Sequence, residues 1–81
     1  MKNVNHKITF DNGKVIEVEA SIVSKNRYLD SVDWLYFETL ETDDVLVKGA
    51  KAYHRWTFDD GILTGWLVPY DKVLNIHKVL N

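Results

Sequence analysis

Ile8-Thr9-Phe10-Asp11-Asn12-Gly13-Lys14-Val15-Ile16 sets two apolar arms on either side of a turn, and the length of that turn decides which side chains share a face. A two-residue Asn12-Gly13 loop puts Thr9 opposite Ile16 and Ile8 opposite Glu17, apolar against polar. A three-residue loop with Gly13 left-handed puts Phe10 opposite Lys14, Ile8 opposite Ile16 and His6 opposite Val18. The second register gathers Val4, His6, Ile8 and Phe10 against Ile16, Val18, Ala20 and Ile22, and it is the one expected.

Nearly the same stretch, Thr57-Phe58-Asp59-Asp60-Gly61, recurs 48 residues after Thr9-Phe10-Asp11-Asn12-Gly13. The matching register would place Ala52, His54, Trp56 and Phe58 on one face, opposite Ile62, Thr64, Trp66 and Val68. The flanking residues do not continue the likeness, so two hairpins sharing one turn solution explain it better than a duplication.

Between the hairpins, Trp34, Tyr36 and Leu40 alternate with Leu35 and Phe37. That reads as a strand apolar on both faces, although Val32, Leu35, Tyr36 and Leu40 also fit a helical stripe capped by Asp30 or Ser31. Glu41-Thr42-Asp43-Asp44 reads as a turn, Val45-Leu46-Val47 as the start of another strand, and Gly49 as a bulge. Residues 72–80 fit a strand or a short helix, and their β-branched character favours the strand.

With 81 residues, the chain makes one domain, 1–81, and cannot be partitioned further. Apolar residues at 46% and aromatics at 12% describe a globular chain, and the absence of cysteine removes any disulfide framework or thiolate zinc site and suits the cytoplasm. The apolar runs are too short to span a membrane, and Met1 to Lys7 has no export core. Five or six short strands joined by tight turns give a mainly β fold, and closing the sheet into a small antiparallel barrel, with at most one short helix, would remove its exposed edges. Gly65-Trp66-Leu67-Val68-Pro69-Tyr70-Asp71-Lys72-Val73 resembles the end of SH3-like and Sm-like barrels, where a strand meets a proline, makes one tight helical turn and re-enters as the last strand. The resemblance covers these nine residues and implies architecture only. The acidic-aromatic motif near the start of an SH3 domain is absent, so no proline-peptide function is implied.

Catalytic chemistry finds no foothold in the pattern. His6, His54 and His77 have no metal-ligand spacing, and Ser21, Ser24 and Ser31 lie in no nucleophile signature. The pairs Asp43-Asp44 and Asp59-Asp60 fall in expected turns, where carboxylates stay solvated. The expectation is a non-enzymatic protein with no cofactor and no metal.

Surface charge is more informative. Six acids lie between Tyr28 and Val47 without one basic residue: Asp30, Asp33, Glu38, Glu41, Asp43 and Asp44. A solvated face that keeps a β protein soluble explains such a run, and so does an edge that docks on a basic partner. With Trp34, Tyr36 and an exposed Tyr70 at the Pro69 bend, Glu41, Asp43 and Asp44 would form an aromatic-acidic surface for another protein. Tyr53 and Arg55, facing away from the core beside Lys51, suggest a second reading, a small barrel that binds single-stranded nucleic acid. The net charge of −2 weighs against it. An open edge leaves homo-oligomers possible. Eight lysines to two arginines and six asparagines fit an AT-rich genome. That context suits an accessory protein of a low-GC bacterium or its phage, one that blocks a host nucleic-acid enzyme.

Overall fold

A computed structural model of the chain describes residues 4–28, 32–40 and 47–79. The strands are β1 (His6–Phe10), β2 (Val15–Val18), β3 (Ala20–Tyr28), β4 (Val32–Leu40), β5 (Lys51–Phe58), β6 (Gly61–Pro69) and β7 (Val73–Lys78), with a 3-10 turn at Tyr70–Lys72. They form two antiparallel sheets, one of three strands in the order β2-β1-β7 and one of four in the order β3-β4-β6-β5. The fold is mainly β, as the spacing predicts. The strand pairings of the two sheets do not join into a closed barrel among the described residues, and these residues hold seven strands because the long arm after the first turn divides at Glu19.

The first hairpin has the three-residue loop. Ile8 pairs with Ile16 and His6 with Val18, and Gly13 takes a left-handed φ of 87°. Phe10 donates its N–H to the carbonyl of Lys14 (2.8 Å), Gly13 donates to Phe10 (3.0 Å), and the Asn12 side chain accepts from the N–H of Lys14 (2.9 Å). Residues 32–40 are a strand, and so are 73–78, so both open readings resolve toward β structure. The expected turn at Glu41 to Asp44 and the strand start at Val45 lie outside the described residues. Gly49 sits in a tight turn and not a bulge: Ala50 donates to the carbonyl of Val47 (3.0 Å), and Gly49 has φ 92°.

The core lies between the sheets. Ile8, Phe10, Ile16, Val18 and Ala20 meet Leu35, Phe37 and Val68, with Trp66, Tyr70, Val73 and Ile76 packed around them. Phe10 and Phe37 are fully buried, each stabilising the fold by about 1.5–3 kcal/mol over exposure. Thr39 and Thr64, a directly opposed pair on β4 and β6, are also fully buried. Thr39 meets its hydroxyl's demand by donating to the carbonyl of Glu19 (2.6 Å).

Asn5 holds the corner where β2 passes into β3. Its side-chain Nδ2 donates to the carbonyl of Ala20 (2.8 Å) and its Oδ1 accepts from the N–H of Ala20 (2.9 Å). The carboxamide thus makes the two bonds a peptide group would make, while its backbone N–H reaches Val18 (3.1 Å). Just beyond, a bulge at Ser21 separates the Ala20–Thr39 and Ile22–Glu38 pairs. The extra residue turns Ile22, expected on the inner face with Ala20, out to solvent at 49% exposure, and Val23 takes its place against the core.

Replacing Asn5 with leucine leaves the Ala20 N–H and C=O without partners, and urea unfolding should show a loss of about 1–3 kcal/mol. The His6 imidazole donates to Asn5 Oδ1 (2.8 Å), and its burial, then the neighbouring Lys78, hold it below its ordinary value of 6.5. Because the folded state takes the proton less readily than the unfolded chain, this contribution is complete above pH 6.5 and fades as pH falls through the lowered value. The unfolding midpoint should therefore drop between pH 7.5 and 5.5, and His6→Gln should flatten that slope.

Candidate interaction surface

β5 and β6 meet in a two-residue turn, Asp59-Asp60, with Phe58 paired to Gly61, Trp56 to Leu63 and His54 to Gly65. The expected three-residue register is therefore displaced by one residue, which puts His54, Trp56 and Phe58 on the face away from the core. β4 fixes the inward side of β6 by pairing Phe37 with Trp66 and Leu35 with Val68. β5 must follow from there, and it lies beyond the reach of the opposing sheet. All eight of its residues are exposed, so no burial demand selects its face.

A shift in register between Ala52 and His54 sets Tyr53 into a bulge. That brings three rings into a row: Tyr53 meets His54 edge to face at 4.2 Å between centroids, and His54 meets Trp56 at 5.2 Å. Tyr53 is 44%, Trp56 37% and Phe58 55% exposed, and Leu40 (44%) extends the patch on β4. Next to Leu40 and Leu63 a cleft of about 330 Å³ opens at the sheet corner, with Glu19 and Glu38 on its walls.

The expected site residues divide among different environments. Tyr53 and Arg55 are exposed on β5, but the displaced register sets Arg55 opposite the buried Thr64, on the face opposite to Trp56 and Phe58 and not on the outer face expected for it, and leaves Tyr53 in the bulge. Trp34 and Tyr36 are buried with Leu67 on the outer face of the same sheet, where Lys51 Nζ lies 4.9 Å from the Trp34 ring. Tyr36 donates its hydroxyl to Glu38 Oε2 (2.7 Å). Trp34 Nε1 is buried with no acceptor among the described residues. Tyr70, expected to stand out at the bend, is half-buried against the core because the 3-10 turn folds its ring inward. Lys25 Nζ covers that ring at 4.9 Å and pairs with Asp33 (3.3 Å). The Lys25 hydrogen bond, then the charges of Lys25 and Arg27, hold the Asp33 carboxyl below the ordinary carboxylate range. Glu41, Asp43 and Asp44 lie outside the described residues, so the surface that can be drawn is that of the exposed rings.

Trp56 and Phe58 are exposed rings that the expected register places on the inner face. The signal against it was faint: the two-residue register opposes Arg55 and Thr57 to Thr64 and Ile62, a poor match only if both faces of β5 had to be buried.

Among the described residues no group of three or more His, Cys, Asp or Glu is placed to hold a metal ion, and no helix is long and apolar enough to cross a membrane. Comparison with known proteins returns no match: no family model fits the chain, and no curated protein or solved structure is similar to it.

Gly65 is where the surface is tightest. A methyl group there would lie 2.6 Å from Tyr36 Oη. Gly65→Ala should cost about 1–3 kcal/mol by forcing the ring off Glu38, and the cost should shrink in a Tyr36→Phe background, because the next contact is at 3.1 Å. A double-mutant cycle by urea unfolding reads that coupling.

Proposed function

We propose that this chain is a non-enzymatic binding module of the cytoplasm that docks on another protein through the outer face of β5. The observation that carries this reading is the exposure of Tyr53, Trp56 and Phe58 together on a strand with no burial role. Contiguous exposed rings are uncommon on a small monomer and are the residue types that dominate interface energetics, because they bury much area at little cost in side-chain entropy. Leu40 and the cleft beside it supply an apolar rim.

The architecture that goes with this reading is an opened small barrel of SH3-like type. In support, β2 runs into β3 through the single residue Glu19, and Pro69 and the 3-10 turn Tyr70–Lys72 precede the last strand. On this view β5 is an added edge strand that presents the rings. The amino-acid usage supports a phage or accessory protein from an AT-rich genome, with a nucleic-acid enzyme as the target that such a protein would block.

Single-stranded nucleic acid is the second reading, favoured by the row Tyr53-His54-Trp56 with Lys51 on the same outer face, since bases stack on such rings. Against it stands the acidic excess of the whole chain.

The decisive variant carries Tyr53→Ser, Trp56→Ser and Phe58→Ser. Far-UV circular dichroism should show an unchanged fold. Used as affinity bait beside the wild type in extracts of the native host, it should lose the protein that the wild type retains. Equal capture by both baits would defeat the reading. Salt-sensitive binding of a fluorescent oligothymidine by the wild type alone would favour the nucleic-acid alternative.

A further inference from the structure

We propose that Asn12 is a site of spontaneous deamidation that the folded turn holds shut, so that its conversion to aspartate or isoaspartate records the opening of the first hairpin turn. Water is the only co-reactant. The backbone nitrogen of Gly13 attacks Cγ of the Asn12 carboxamide, a C–N bond forms, the Gly13 amide proton passes to the leaving nitrogen, and ammonia departs from a succinimide ring. Water then opens the ring at one carbonyl to give aspartate, or at the other to give isoaspartate, whose main chain runs through the side-chain methylene. The inference is independent of the docking face, since the turn belongs to the three-stranded sheet and β5 to the other.

The sequence singles out this position. Of six asparagines, Asn12 alone is followed by glycine. The attacking nitrogen belongs to the next residue, and Val4, His6, Arg27 and Ile76 crowd its approach after Asn3, Asn5, Asn26 and Asn75, whereas Gly13 has no side chain to do so. Asn12 and Gly13 are exposed, so water has access to both. The φ of 87° at Gly13 suits glycine above other residues. The residue that builds the turn is therefore the one that leaves Asn12 open to attack.

Folding withholds both reacting groups. Gly13 donates to the carbonyl of Phe10 (3.0 Å) the very proton it must lose, and Asn12 Oδ1 is held by the N–H of Lys14 (2.9 Å). The bond from Gly13 to Phe10 closes a four-residue turn of type I, whose third residue keeps ψ at about 0°. Ring closure needs that angle rotated until the Gly13 nitrogen meets the Asn12 side chain, and the rotation breaks both bonds. Each such bond shifts an equilibrium by roughly two- to tenfold, so the pair should slow the reaction roughly 5- to 150-fold. Dependence on global unfolding would slow it by on the order of 10³-fold or more.

The two products differ in what they leave intact. Aspartate keeps a side-chain oxygen for Lys14 N–H and spells Thr-Phe-Asp-Asp-Gly, the run that already makes a hairpin turn at Thr57 to Gly61. Isoaspartate lengthens the main chain inside a three-residue loop and disturbs the register that pairs Ile8 with Ile16.

The test incubates the full chain in mildly alkaline buffer, native and in guanidinium chloride, and follows the tryptic fragment Ile8–Lys14 by mass spectrometry. The native rate should lie roughly 5- to 150-fold below the unfolded one, with Asn5, Asn26 and Asn75 unconverted over the same time. Lys14→Pro deletes the N–H that holds the Asn12 carboxamide and should raise the native rate roughly two- to tenfold, with circular dichroism reporting that the fold is kept; the wild-type comparison stands whether or not that variant folds. Asn12→Asp should unfold at the wild-type urea midpoint, and the isoaspartyl chain, isolated by chromatography, at a lower one. Equal native and unfolded rates overturn the inference. So does protection of the order of 10³-fold or more, a folded Lys14→Pro chain with an unchanged rate, or an isoaspartyl chain as stable as the wild type.

Discussion

One sheet of three strands lies against another of four, and this difference in width governs the rest of the molecule. Phe37 and Leu35 on β4, with Val68 on β6, are covered by β1, β2 and β7. β5, one strand further out, is not. The inward set of β6 is settled by its pairing with β4, and the face that β5 presents follows from that pairing through the turn, not from any apolar pattern of its own. The rings of β5 are thus outside because the core was complete without them.

A second requirement is continuity at the corner. A chain passing from one sheet to the other at Glu19 interrupts its ladder there and would strand the polar groups of Ala20. Asn5 supplies both missing bonds from a side chain, and Thr39 takes the Glu19 carbonyl. Two polar side chains therefore let apolar strands bend without burying an unsatisfied peptide.

The sequence is legible where both arms of a hairpin bear on the core. The Asp11-Asn12-Gly13 turn can be read because Ile8, Ile16, Val18 and Phe10 all need burial, so one register is far better than the other. The near-identical turn at Asp59 misleads because only one of its arms is packed. The same criterion, applied where it has no physical force, selects the wrong register and reverses Trp56 and Phe58. Ile22 was misplaced for a related reason: a single bulge residue inverts every side chain beyond it, and nothing in the spelling of Ala20-Ser21-Ile22 marks it. The alternation of Trp34 to Leu40 was sound, since a strand buried on both faces explains why its rings are apolar on both. The burial of Trp34 and Tyr36 and the half-burial of Tyr70 are not legible in the sequence, because exposure depends on what lies across from them.

The pairing of β1 with β7 brings Val79 N–H to the Asn5 carbonyl (2.9 Å), so the two ends of the described chain lie side by side. Closing that loop spans about seventy residues, an entropic toll that local hairpins do not face. The narrow sheet can therefore be complete only once the wide one has brought its ends together, and the molecule is near enough to circular that its strand order could be re-cut. A permuted chain, joined across Asn5 and Val79 and opened at Asp59-Asp60, would make the β1–β7 contact the cheapest in the fold and the β5–β6 contact the dearest, inverting the order of assembly while leaving the final packing the same.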